Sequence, residues 1–214
     1  MQRRCCRKGG TMEIKPIETI YDGYKFRSRL EARWAVFFDA LGVPYEYEPE
    51  GFVLPSGRKY LPDFKVKCYG TRGDIGDDPF DLWIEVKGNM TKEDASKIRE
   101  FSGCIDSFHW PWDDAERMKD YNRILIVGNI PRPENSWMPT EEWYDAYMKW
   151  DIPPFNYALI DGDWFGAFPA ALDGKFYLWG DEGSYIHDVE PVQMAYAIAR
   201  QARFEHGATP ILNN

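Results

Sequence analysis

No run in this 214-residue chain approaches the roughly 18 uninterrupted apolar residues of a membrane-spanning helix. Cysteine and histidine are scarce as well. Cys5, Cys6, Cys68 and Cys104 have the spacing of neither a zinc site nor a disulfide framework. His109, His187 and His206 are too scattered to suggest a ligand cluster, which argues against zinc-hydrolase chemistry and a histidine-based triad. The opening MQRRCCRKGG is basic, but no apolar stretch follows it, so it does not read as a secretory signal. Together these shortages imply a reduced, cytoplasmic protein with no membrane partner.

What is present is an ordinary globular composition, 44% apolar and 29% charged. The length favours one domain and buries enough surface, about 70%, to need no disulfide or structural metal. We expect a flexible basic arm over 1–11, a core over 12–131, and C-terminal strands and a helix over 132–214 packed on that core.

Net charge is −9, and it is unevenly spread. Residues 1–67 hold 13 basic and 9 acidic side chains, whereas residues 68–214 hold 13 basic and 26 acidic ones. An acidic balance argues mildly against a nucleic-acid binder. A local positive face still functions beside an acidic one, because charges are screened beyond about 8–10 Å at physiological salt. Arg27, Arg29, Arg33, Arg58, Lys59, Lys65 and Lys67 supply such a face.

Leu30, Trp34, Phe37, Phe38 and Leu41 recur at helical spacing before Gly42, predicting an amphipathic helix over about 26–41. VPYEYEPEGFVL predicts one or two short strands, and SGRKY a turn leading into the strand YLPDFKVK. CYGTRGDIGDDP reads as a loop, DLWIEVKG as a strand, and 91–102 as a helix capped by Thr91. A short helix near 113–119 precedes the fully apolar strand RILIVGNIP. Beyond it, EEWYDAYMKW reads as helical. NYALIDGDWFGAF and GKFYLWG read as aromatic strands joined by Asp-Gly turns, and VQMAYAIARQARFEH as a last helix with Pro191 in its first turn and Gly207 at its end. This order predicts an α/β fold: a mixed sheet of four or five strands flanked by helices, with an aromatic-rich C-terminal elaboration.

Residues two apart in a strand share a face, so Glu85 and Lys87 in IEVKG point the same way. With 16 Glu and 12 Lys in the chain, chance alone supplies about one Glu-x-Lys. A second copy, Glu13-Ile14-Lys15, has no strand around it; only the copy at 85–87 is approached by the apolar LWI and preceded by an acidic strand position, Asp63 after Pro62. Glu31 lies in the first helix between Arg29 and Arg33. Hard oxygen donors of this kind suit magnesium or manganese. Taken singly, each residue also has a structural reading: helix ion pairs for Glu31, a turn for Asp63, and an edge salt bridge for Glu85 and Lys87. Arg27, Arg29 and Arg33 contact phosphates in one reading and solvate a helix face in the other. Tyr24 and Phe26 either stack on bases or anchor the core. Arg200 and Arg203 are further, weaker candidates for nucleic-acid contact, and His109 reads as structural.

FRSRLEARWAVFFDALGVPYEYEPEGF, then YLPDF, then LWIEVKG resembles the PD-(D/E)xK nuclease superfamily, above all its small phage and bacterial nuclease-like proteins. The resemblance spans about residues 20–130, with all four motif positions intact. It implies a restriction-endonuclease-like core and a Mg2+- or Mn2+-dependent deoxyribonuclease, an endonuclease leaving 5′-phosphates. Asp63, Glu85 and the Val86 backbone carbonyl would be metal ligands, Glu31 would complete the site, and Lys87 would orient water and offset charge. DNA would be the partner, with a homo-oligomer or a second protein serving for activation or targeting, in the cytoplasm of a bacterial host. The rival expectation is a non-catalytic acidic interaction protein, an inhibitor or DNA mimic on the same fold, favoured by the acidic residues 68–214. RNA cleavage by similar chemistry is a third.

Overall fold

A computed structural model of the chain describes residues 16–71, 79–105, 124–132, 157–160, 163–180 and 190–204. It opens with a hairpin absent from the sequence-based expectation, β1 (Thr19–Tyr21) against β2 (Tyr24–Phe26). Asp22 and Gly23 form its turn with φ of 43° and 80°, the paired positive values that suit the twist of a two-residue hairpin. Phe26 therefore ends a strand, fully buried as a core anchor, and the first helix starts later than expected. That helix, α1 (Arg29–Ala40), begins where Ser28 turns extended and its hydroxyl accepts from the Glu31 N–H. The chain continues through β3 (Tyr45–Tyr47) and the small hairpin β4 (Phe52–Val53) and β5 (Lys59–Tyr60).

Next comes β6 (Phe64–Thr71), which runs on through residues expected to be loop. Asp63 thus sits just before the strand. Two further elements arrive as expected, β7 (Phe80–Val86) and α2 (Lys92–Ser102), the latter capped reciprocally by Thr91 and Asp94. They are followed by β8 (Ile124–Val127), β9 (Tyr157–Ile160), β10 (Asp163–Leu172), β11 (Lys175–Gly180) and α3 (Glu190–Gln201). The expected Asp-Gly turn between β10 and β11 is present, with Asp173 and Gly174 at φ 51° and 73°. Pro191 lies in the first turn of α3, but the helix stops at Gln201 rather than running to His206. The arm 1–11, the expected helices at 113–119 and 141–150, the turn at 161–162, Gly207 and all three histidines lie outside the described residues.

Among the described residues the sheet has seven strands in the order β11-β10-β9-β8-β7-β6-β3, more than the four or five expected. The added strands are the C-terminal ones, which join the main sheet instead of forming a separate layer. β10 pairs with β9 through its first half and with β11 through its second, and β11 returns to β6 in parallel, Phe176 opposite Cys68. The pairings from β6 to β11 therefore close into a ring. β7 and β8 are also parallel, while the remaining neighbours run antiparallel, so the sheet is mixed.

Alternation divides the two faces. Phe64, Val66, Leu82, Ile84, Val86, Leu125 and Val127 pack towards α1 and α3. Trp83, Ile124 and Ile126 join Ile98 and Phe101 of α2 on the other. Phe37 of α1 stacks on Tyr196 of α3 at 4.7 Å, and the Trp34 indole donates to the Gly128 carbonyl at 2.8 Å. Each fully buried large side chain contributes about 1.5–3 kcal/mol. The result is an α/β fold, a mixed central sheet flanked by three helices among the described residues, with aromatic-rich C-terminal strands. No described helix is long and apolar enough to cross a membrane.

Candidate functional site

Glu31 is placed by the helix cap that starts α1. Its Oε1 accepts from the Ser28 hydroxyl at 2.7 Å, and its Oε2 accepts from the Arg27 backbone N–H at 3.1 Å and the Tyr47 hydroxyl at 2.7 Å. A Ser-x-x-Glu start explains the first two, because the third helical residue reaches back to donors just ahead of the helix, and Tyr47 of β3 adds the third. The expected ion pairs with Arg29 and Arg33 are not what holds it. Arg29 is exposed, and Arg33 is half-buried with its Nε lacking a hydrogen-bond partner among the described residues.

Asp63 and Glu85 meet at the adjoining ends of β6 and β7, each 3% exposed. Pro62 lies opposite Val86 if the β6–β7 register is continued, and proline has no N–H to give the ladder. The Val86 N–H turns instead to Asp63 Oδ2 at 2.8 Å, which fixes that carboxylate next to Glu85. Asp63 Oδ1 takes the Arg27 guanidinium at 2.6 Å, and Arg27 also pairs with Glu48 at 2.5 Å. Glu85 Oε1 pairs with Lys87 at 2.5 Å, and its Oε2 accepts from the Tyr60 hydroxyl at 2.8 Å.

Burial, followed by the charges of Glu85 and Glu31, pushes the Asp63 carboxyl well above the usual carboxylate range; Lys87 and the Val86 N–H pull it back in part. Burial likewise drives the Tyr60 phenol far up, and the neighbouring Glu85 adds to it. Burial opposes the charge on Lys87, but Glu85, Asp63 and Asp94 together outweigh it and leave the ammonium more basic than an ordinary lysine. Lys87 is therefore cationic at neutral pH. Two sealed carboxylates that repel one another are stabilised by any cation set between them.

That chemistry fits a hard divalent ion, for which Asp63 and Glu85 offer oxygen donors. Among the described residues, no group of three His, Cys, Asp or Glu side chains is arranged to hold a metal ion. Asp63 and Glu85 are the paired oxygen donors there, and the carboxylate of Glu31 is taken up by the cap of α1. Beside them opens a cleft of about 160 Å³ lined by Arg27, Lys59, Tyr60, Glu85, Lys87, Asp94 and Lys97, among others.

The structure thus gathers Arg27, Asp63, Glu85 and Lys87 with Glu31 close behind, and it leaves Arg29 and Arg33 outside the cleft lining. Arg200 donates to the Ile130 carbonyl at 2.8 Å, fastening α3 to the chain after β8. Sequence reasoning placed Lys59 in the positive face but missed Tyr60 and Lys97 as members of the site. Tyr60 carried no motif signal, since it follows a turn and its role depends on a hairpin folding against β7. Comparison with known protein families, with curated proteins and with solved structures returns no match.

Proposed function

We propose that the protein is a metal-dependent phosphodiesterase that cuts DNA, an endonuclease on a restriction-endonuclease-like core of PD-(D/E)xK type. The observation that carries this reading is the buried pair Asp63 and Glu85, anchored through Val86, with Glu85 and Lys87 lining a cleft that Arg27, Lys59 and Lys97 share with Asp94. Asp63, Glu85 and the Val86 carbonyl would hold magnesium or manganese. When bound, such an ion supplies a water of lowered pKa and polarises a phosphate oxygen. Tyr60 keeps Glu85 oriented through its hydroxyl, and the Val86 N–H does the same for Asp63. The Lys87 ammonium, at the cleft, positions the attacking water and offsets the charge that grows on the phosphate. A second protein or a second copy of the chain would raise affinity for DNA, which the acidic surface keeps modest.

The test is cleavage of duplex, supercoiled, single-stranded, four-way-junction and RNA substrates with Mg2+, Mn2+ or EDTA. We expect metal-dependent cutting of DNA that falls about a hundredfold or more in Asp63→Asn and in Lys87→Ala. A folded protein that cuts none of these and binds no Mn2+ removes the reading. One observation favours the rival, a non-catalytic acidic interaction protein: every oxygen of Asp63 and Glu85 already has a protein partner. In that case Asp63→Asn would leave partner binding intact and Mn2+ would have no effect.

A further inference from the structure

The cations positioned for a polyanion at this cleft are not the arginines of α1. Lys59, on β5, is exposed and has no carboxylate partner among the described residues. Lys97, on α2, faces the same cleft and holds only Glu93, 2.8 Å away and 70% exposed. Lys97 itself is 30% exposed, and a carboxylate as far in water as Glu93 holds it weakly enough for a phosphate to take its place.

The wall that carries these two lysines is braced. Glu100 of α2 accepts from the Ser56 N–H, from the Ser56 hydroxyl at 2.9 Å and from Arg58, which also reaches Ser96 at 3.4 Å. This tether joins the β4–β5 hairpin to α2, so Lys59 and Lys97 are held on two fastened elements rather than on free loops. It also consumes the charge of Arg58, which leaves those two for a ligand. Tyr60 follows Lys59 directly and reaches Glu85, so the path from lysine to carboxylate pair is a single residue long.

The geometry points to Lys59 and Lys97 as a phosphate clamp that seats the backbone of a nucleic-acid strand across the cleft, with the scissile bond over Asp63 and Glu85. This rests on the nuclease reading and names the residues that bind its substrate. Each lysine meets one phosphate, and the contact is independent of base sequence.

The experiment is equilibrium binding of a fluorescent DNA duplex in EDTA over a range of salt, for wild type, Lys59→Ala, Lys97→Ala and Lys175→Ala. Lys175 is the matched control. It lies over the Tyr69 ring, six residues along β6 from Asp63 and about 20 Å away. We expect each clamp variant to bind about three- to tenfold more weakly and to lose about one unit of slope in log affinity against log salt, with Lys175→Ala unchanged. Equal behaviour of all three variants overturns the clamp. If wild type cuts DNA with Mg2+ and the slopes do not move, the clamp falls alone. If wild type neither binds nor cuts nucleic acid and binds no Mn2+, the nuclease reading falls with it.

Discussion

Arg27 is the residue whose position says most about the site. Its guanidinium lies against Asp63, where a divalent ion would otherwise offset the charge, and half of its side chain remains in water. The neighbouring carboxylates keep its pKa above the usual arginine value despite the opposing cost of burial. Arg27→Gln should therefore bind Mn2+ several-fold more tightly by calorimetry while the metal-free protein melts earlier; unchanged affinity would show that Arg27 and metal do not compete. Glu31 makes the opposite case. Three donors converge on its carboxylate, and Glu31→Ala should cost about 2 kcal/mol in denaturant unfolding, with or without metal. A loss that appears only with metal present would mark it as a ligand. Tyr196 offers a third test. Its hydroxyl is fully buried and has no partner among the described residues, and burial alone raises its pKa. Tyr196→Phe removes a polar group that is costly to bury, so thermal melting should rise by a few degrees or hold steady.

At the scale of elements, the hairpin β4–β5 depends on a titratable fastening. The Ser56 hydroxyl, Arg58 and the Ser56 N–H hold the Glu100 carboxyl down to about 2. A carboxyl lowered in the folded state contributes fully above its unfolded value, about 4.5, and that contribution fades as pH falls towards 2. Amide protection across residues 52–60, taken relative to the intrinsic exchange rate at each pH, should fall as the protein is acidified from pH 6 to 3, and Glu100→Gln should show the lowered protection already at pH 6. Identical profiles for the two proteins would deny the tether its role. The elements themselves were unequally legible in the sequence. α2 was readable to the residue, because Thr91 and Asp94 cap it locally. α1 was readable in its apolar stripe but not at its start, since Phe26 is drawn into β2 by Thr19, a partner that a helical period does not reveal. Asp63, Glu85 and Lys87 were visible as a spaced motif. Tyr60 and Lys97 were not, because they reach the cleft through pairings between segments that are distant in the chain; Lys59 was visible only as one charge of a basic face.

For the whole molecule, the ring of strand pairings is what the sequence hid most completely. Short aromatic strands after residue 156 read as an appendage, yet β9 continues the sheet from β8 and β11 closes it on β6. The pairing of Cys68 with Phe176 joins positions about a hundred residues apart. Contacts of that span are slow to form, because the loop entropy is lost before the contact is gained. On the ribosome, the carboxylate pair of β6 and β7 therefore emerges long before the strand that seals the sheet beside it. A nascent chain halted near residue 131 would present an unpaired flank on both β6 and β8, an open template for strands of a neighbouring chain. Such a fragment should collect in the insoluble fraction, whereas co-expression with residues 132–214 should return it to solution.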